Sequence, residues 1–180
     1  SAGVLTFVSA PDYETKASYT ATVTASDGTN STTQDITVNV NNVNDIAPEF
    51  TSDATFNVDE NQTAIGTVTA TDAQGDEVTF TISGDELAIT SAGVLTFVSA
   101  PDYETKTTYT ATLTASDGTN SATQDITINV TNVNDNSPVI TSSNEYSIEE
   151  NTTEVGQATA TDADGDGIVF SITSDSDISI

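Results

Sequence analysis

The chain has 180 residues, 35% of them hydrophobic, and sets 28 acidic side chains against 2 lysines and no arginine, a formal net charge of −26. That balance argues against nucleic acid and anionic lipid as partners, since both are held by Lys and Arg. Cys and His are absent, so disulfide staples are excluded and the usual thiol and imidazole of catalysis are missing.

Residues 1–16 read SAGVLTFVSAPDYETK, and residues 91–106 read the same letters. TASDGTN recurs from Thr24 and Thr114, VND from Val43 and Val133, and TATDA from Thr69 and Thr159, so the period is 90 residues. A repeat of this length predicts an array of small domains of about 100 residues each. Ile180 falls where Ser1 would follow again, and the first residue is Ser with no leader before it. The chain is therefore expected to be a stretch of a longer array. The expected organisation is the second half of one repeat over residues 1–44, a complete repeat over 45–134 and the first half of the next over 135–180.

Within the complete repeat, strands are expected over residues 54–58, 64–71, 77–82, 86–90, 93–98 and 107–115. A last strand carries Ile126, Ile128 and Val130. Val78, Phe80 and Ile82 alternate on one face, as do Tyr109, Ala111, Leu113 and Ala115, with threonines on the other. Seven short strands of period 2, separated by Gly, Pro and Asp signals, predict an all-β, immunoglobulin-like Greek-key sandwich. Between repeats lie NNVNDIAPEF (residues 41–50) and TNVNDNSPVI (131–140). These connectors are short and stiffened by proline, so neighbouring units sit end to end.

The carboxylates gather at strand ends. They occupy VDEN (Glu60; Glu150 in the later copy), TDAQGD (Asp72 to Asp76) and TDADGD (Asp162 to Asp166). They recur in PDYE (Asp12 and Glu14, then Asp102 and Glu104), ASDG (Asp27, Asp117) and the connectors (Asn44 and Asp45, then Asn134, Asp135 and Asn136). Asp162, Asp164, Asp166 and Gly167 imitate the start of an EF-hand loop, but its twelfth position holds Thr173 instead of a bidentate Glu. An EF-hand is rejected on that ground.

In this order and spacing the motifs resemble cadherin repeats over both periods, with PDYE standing in for that family's LDRE. The resemblance implies calcium bound between successive repeats. Its first junction would use Asp12, Glu14, Asn44, Asp45, Asp72 and Asp117, with Ile46 offering a backbone carbonyl. Its second would use Glu60, Asp102, Glu104, Asn134, Asp135, Asn136, Asp162 and Asp164. Asp27 and Glu150 would serve further junctions. Three departures stand out: Gln74 replaces the second aspartate of DxD, Ile46 replaces the last Asn of the connector motif, and Asn42 and Asn132 replace an acid. The first junction is therefore expected to hold calcium less tightly than the second.

Electrostatics points the same way. Two carboxylates about 4 Å apart repel by roughly 4 kcal/mol at an effective dielectric near 20, so cations would stiffen the joint. The expected function is a calcium-rigidified extender of a secreted or cell-surface adhesin or filament, extracellular and non-enzymatic. Near-identical neighbours suit a spacer, and sparse Lys with no Cys suits a bacterial source. The expected partners are calcium, neighbouring repeats and other copies joined end to end. The competing reading is an adhesive module for homophilic or carbohydrate binding, but the docking Trp of classical cadherin adhesion is missing.

Overall fold

The computed structural model describes residues 3–173 and 178–180. Among them the chain is all β. Strands β1 (Ser18–Ser26) and β2 (Ser31–Asn39) are followed by β3 (Glu49–Phe50), β4 (Thr55–Asp59), β5 (Ala64–Thr67), β6 (Ala70–Thr71) and β7 (Thr79–Ile82). Then come β8 (Leu87–Ile89), β9 (Val94–Phe97), β10 (Thr108–Ser116), β11 (Ser121–Thr131), β12 (Val139–Ile140) and β13 (Ala160–Thr161).

Alternating residues between β3 and β11 build a two-layer sandwich. One sheet has the order β4-β11-β10-β7 and the other β5-β9-β8. Leu113 and Ala115 of β10 and Ile126, Ile128 and Val130 of β11 face Leu95 and Phe97 of β9, with Val68, Phe80 and Leu87 completing the core. Burying a Leu, Ile or Phe side chain of this kind contributes about 1.5–3 kcal/mol. The outward face carries threonines, and Thr112 Oγ1 donates across the hairpin to Asp125 Oδ1 at 2.7 Å.

Two segments depart from the expected strands. The expected strand over 64–71 is broken: β5 pairs with β9, while β6 pairs with β3. The break, at residues 68–69, follows from serving two partners, and within β5 itself the pairing with β9 shifts register between Ala64 and Gly66. The expected first strand over 54–58 is present as β4, and a short, unexpected strand precedes it. That added strand, β3, pairs antiparallel with β6, and β4 pairs parallel with β11. Residues 135–180 show only β12 and β13 among the described residues.

The duplicated letters give one hairpin twice. Ser18↔Asn39 through Ser26↔Ser31 repeats as Thr108↔Asn129 through Ser116↔Ser121. Burial is not duplicated: Leu95 is 0% exposed and Leu5, its counterpart, 66%. β9 lies between β5 and β8, whereas residues 3–8 belong to no strand.

Candidate metal centre

The parallel pairing of β4 with β11 sets Asp59 opposite Thr131. Both strands therefore deliver their ends to one place: Glu60 from the first, the connector from the second. Glu60 is 4% exposed. Its Oε1 accepts the Val133 N–H at 2.8 Å and its Oε2 the Tyr103 N–H at 2.7 Å. Asn61 follows at φ 64°, a left-handed conformation that Asn tolerates better than most residues. Its side-chain amide donates to Asp135 Oδ2 and its backbone N–H to the Pro101 carbonyl.

Around Glu60 the second junction closes. Glu60, Glu104, Asp135 and Asp164 each offer a carboxylate oxygen within 4.8 Å of the others. Asp162, Asp164 and Asp166 form an overlapping group in the turn after β13. Asp162 Oδ1 accepts the N–H groups of Asp164 and Asp166, which shapes that turn. Asp164 Oδ2 accepts the backbone N–H groups of Asp135 and Asn136 at 3.2 and 2.8 Å, leaving Oδ1 facing the cluster. The Asn136 amide nitrogen donates there to Asp135 Oδ1, Asp164 Oδ1 and Glu104 Oε2. Loss of water to surrounding protein atoms raises the Glu104 carboxyl above the ordinary glutamate value, and the charges of Glu60 and Asp164 add to this. Asp164 is held low, first by the Asn136 side chain.

The first junction holds different chemistry. Gln74, not a carboxylate, reaches the connector, and Asp72 Oδ1 accepts the Gln74 and Asp76 N–H groups. Asn120 donates from its amide to Asn44 Oδ1, and its nitrogen also lies near the Asn44 and Ile46 carbonyls and Asp117 Oδ2. Asp117 Oδ1 accepts the Thr119 and Asn120 N–H groups at 2.7 and 2.6 Å. Desolvation pushes Asp117 up, but those bonds outweigh it and leave the group below the ordinary aspartate value.

Other expected residues serve their own turns. Asp12 accepts the Glu14 and Thr15 N–H groups and the Thr15 hydroxyl, and Thr15 holds its carboxyl low. Asp102 accepts from Thr105 in the same way. Asp27 accepts the Thr29 and Asn30 N–H groups. Asn134 and Glu150 are exposed.

The donor set suits a hard cation: carboxylate, amide and backbone oxygens without nitrogen or sulfur ligands. Three buried side-chain oxygens among the described residues lack any hydrogen-bond partner: Gln124 Oε1 on β11, Asp72 Oδ2 at the first junction and Asn132 Oδ1 at the second. Orphaned acceptors beside carboxylates are what an oxygen-coordinated cation would satisfy. Reading the sequence missed Asn61 and Asn120. The repeated Glu-Asn pair at Glu150-Asn151, where Asn151 has φ 68°, is the signal that marks the first.

No family model matches the sequence. The chain is 35% identical over 184 residues to Cadherin EGF LAG seven-pass G-type receptor 2 of Mus musculus, covering 88% of this chain and 6% of that protein. It is 36% identical over 125 residues to Chitinase A of Pseudoalteromonas piscicida, covering 69% of this chain and 15% of that protein. The chain thus spans only a small part of the curated relatives it matches. Among solved structures, mouse Cadherin-23 EC22-24 superposes with a TM-score of 0.69 at 28% identity, over 85% of this chain and 56% of that one.

Proposed function

We propose, from the premise that this chain is built of cadherin-like repeats, extracellular and non-enzymatic, that it is a stiff extender whose joints are set by calcium. The repeats themselves carry an adhesion-related role, as cadherin domains do. On this reading the units are residues 1–44, 45–134 and 135–180, and the joints between them are the working parts.

One observation carries the reading. Glu60 and Glu104 come from before a connector, Asp135 from within it and Asp164 from after it, yet their oxygens gather within 4.8 Å. Without a counter-charge these groups repel and press the two units apart. Calcium would be held by Glu60, Glu104, Asp135 and Asp164, with Asp162 and the Asn134 and Asn136 oxygens at hand. It supplies the positive charge that turns repulsion into a clamp. Asp102 stays with its own turn and shapes the loop that presents Glu104.

A stiff spacer fits the near-identity of the copies, because each unit has only to hold its neighbour in line. The match to a segment of Chitinase A of Pseudoalteromonas piscicida agrees with such repeats occurring in a bacterial protein, and we read this one as part of a secreted adhesin or filament. Calorimetry on the chelated chain tests the joint. Calcium should bind with heat, and the triple change Glu104→Gln, Asp135→Asn, Asp164→Asn should abolish binding at the second junction. Equal heats from the two proteins would overturn the reading.

A further inference from the structure

The two junctions present the same frame with opposite chemistry at one atom. At the second, Asp164 Oδ2 accepts the Asp135 and Asn136 N–H groups. At the first, Gln74 Oε1 accepts the equivalent Asp45 and Ile46 N–H groups, both at 3.1 Å. The other atom of each side chain then faces the oxygen cradle. In Asp164 it is a carboxylate oxygen. In Gln74 it is Nε2, which lies 2.9 Å from Glu14 Oε1, 3.1 Å from Asn42 Oδ1, 2.7 Å from the Val43 carbonyl and 3.4 Å from Asp45 Oδ1.

We propose that the Gln74 amide takes the place of a cation in this cradle, so that the first junction is clipped there by hydrogen bonds and binds fewer calcium ions than the second. The inference rests on the calcium reading of the second junction. Four oxygens from two stretches of chain, the loop at Glu14 and the connector over 42–45, surround one nitrogen that carries only two protons. That crowding suits a positive centre, and the amide supplies a partial one. The amide is also locked. Flipping it would turn an NH2 group toward the Asp45 and Ile46 N–H groups and leave donors facing a donor. Leaving such donors unpaired is unfavourable. With the flip opposed, the cradle meets a cation with N–H protons instead of an oxygen.

Asn136 shows the contrast. Its amide also sits among acidic oxygens, but it is a connector side chain free to turn its oxygen inward. Its counterpart at the first junction is Ile46, which has no such oxygen. Asp72 Oδ2 remains unpartnered, so the first junction keeps a cation position on the Asp72 side and loses the one at Gln74. Glu14 and Asp45 are drawn to the amide, and the joint holds in chelator as well as in calcium.

The full 180-residue chain is titrated with calcium by calorimetry and, in parallel, by NMR of the side-chain amide protons. The Gln74 NH2 pair should exchange slowly in chelator and stay slow to exchange throughout the titration. Gln74→Asp should gain a further class of calcium sites, and Asp164→Gln should weaken the second junction by at least about tenfold. A Gln74 NH2 pair that loses its slow exchange as calcium fills the first junction would overturn the inference, as would a Gln74→Asp variant with the wild-type number of ions. The NMR arm uses the unaltered chain and stands even if a variant fails to fold. Two equivalent classes of sites in the unaltered chain would leave the calcium joint intact and overturn this inference alone. Silence in every protein would overturn both.

Discussion

Both carboxylate oxygens of Glu60 accept backbone N–H groups, one from the connector and one from the loop that carries Glu104. Its charge therefore holds the frame of the second junction as well as contributing to it. Glu60→Gln puts an NH2 group against one of those N–H donors. The expected loss is about 1–3 kcal/mol, seen as a lower melting temperature in chelator and as weaker calcium binding. An unchanged melting temperature would show that the frame does not depend on Glu60. The protonation states give a second prediction. Glu104 lies above the ordinary glutamate value, so it gains a proton at higher pH than an ordinary glutamate does, and a proton there opposes a cation. Calcium affinity should therefore be lower at pH 5 than at pH 7. Asp12, Asp117 and Asp164 are held below the ordinary aspartate value. The folded-state stabilisation they provide is present above that value and is lost only as pH falls through their lowered folded values.

At the scale of elements, the turn before β9 is tightly constrained. Gly93 has φ +88°, and a Cβ built there would lie 2.2 Å from the Val68 carbonyl oxygen, while its own carbonyl accepts the Val68 N–H at 2.8 Å. Gly93→Ala must move backbone at the edge of the core, and chemical denaturation should show a loss of more than about 1 kcal/mol. Leu113→Ala should cost about 2–5 kcal/mol, because Leu113 is 0% exposed between the two sheets. The long hairpin β10–β11 was legible in the sequence, since its alternation is unbroken over 9 and 11 residues. The divided strand and the short β3 were not. Residues 64–71 alternate well enough to read as one strand, and only the pairing with two different partners breaks them. β3 spans 2 residues and offers no period to detect. In the site, the acidic residues were legible as types at spacings. The role of Gln74 was legible only as a missing charge. That its oxygen is anchored and its nitrogen faces the cradle depends on connector N–H groups that no spacing reveals.

The whole molecule carries a formal charge of −26, concentrated at the ends of units instead of on the threonine-covered sheet faces. Salt screens such charges over about 8–10 Å near physiological ionic strength, which is longer than the spacing within the cluster. Salt alone therefore cannot substitute for a bound ion at the joint. Small-angle X-ray scattering of the full chain, in chelator and then in calcium at constant ionic strength, tests the central claim most directly. The account predicts a longer maximum dimension and a narrower distribution of shapes in calcium, as the second junction stiffens. Identical scattering profiles in the two conditions, with calcium shown to be bound, would contradict it.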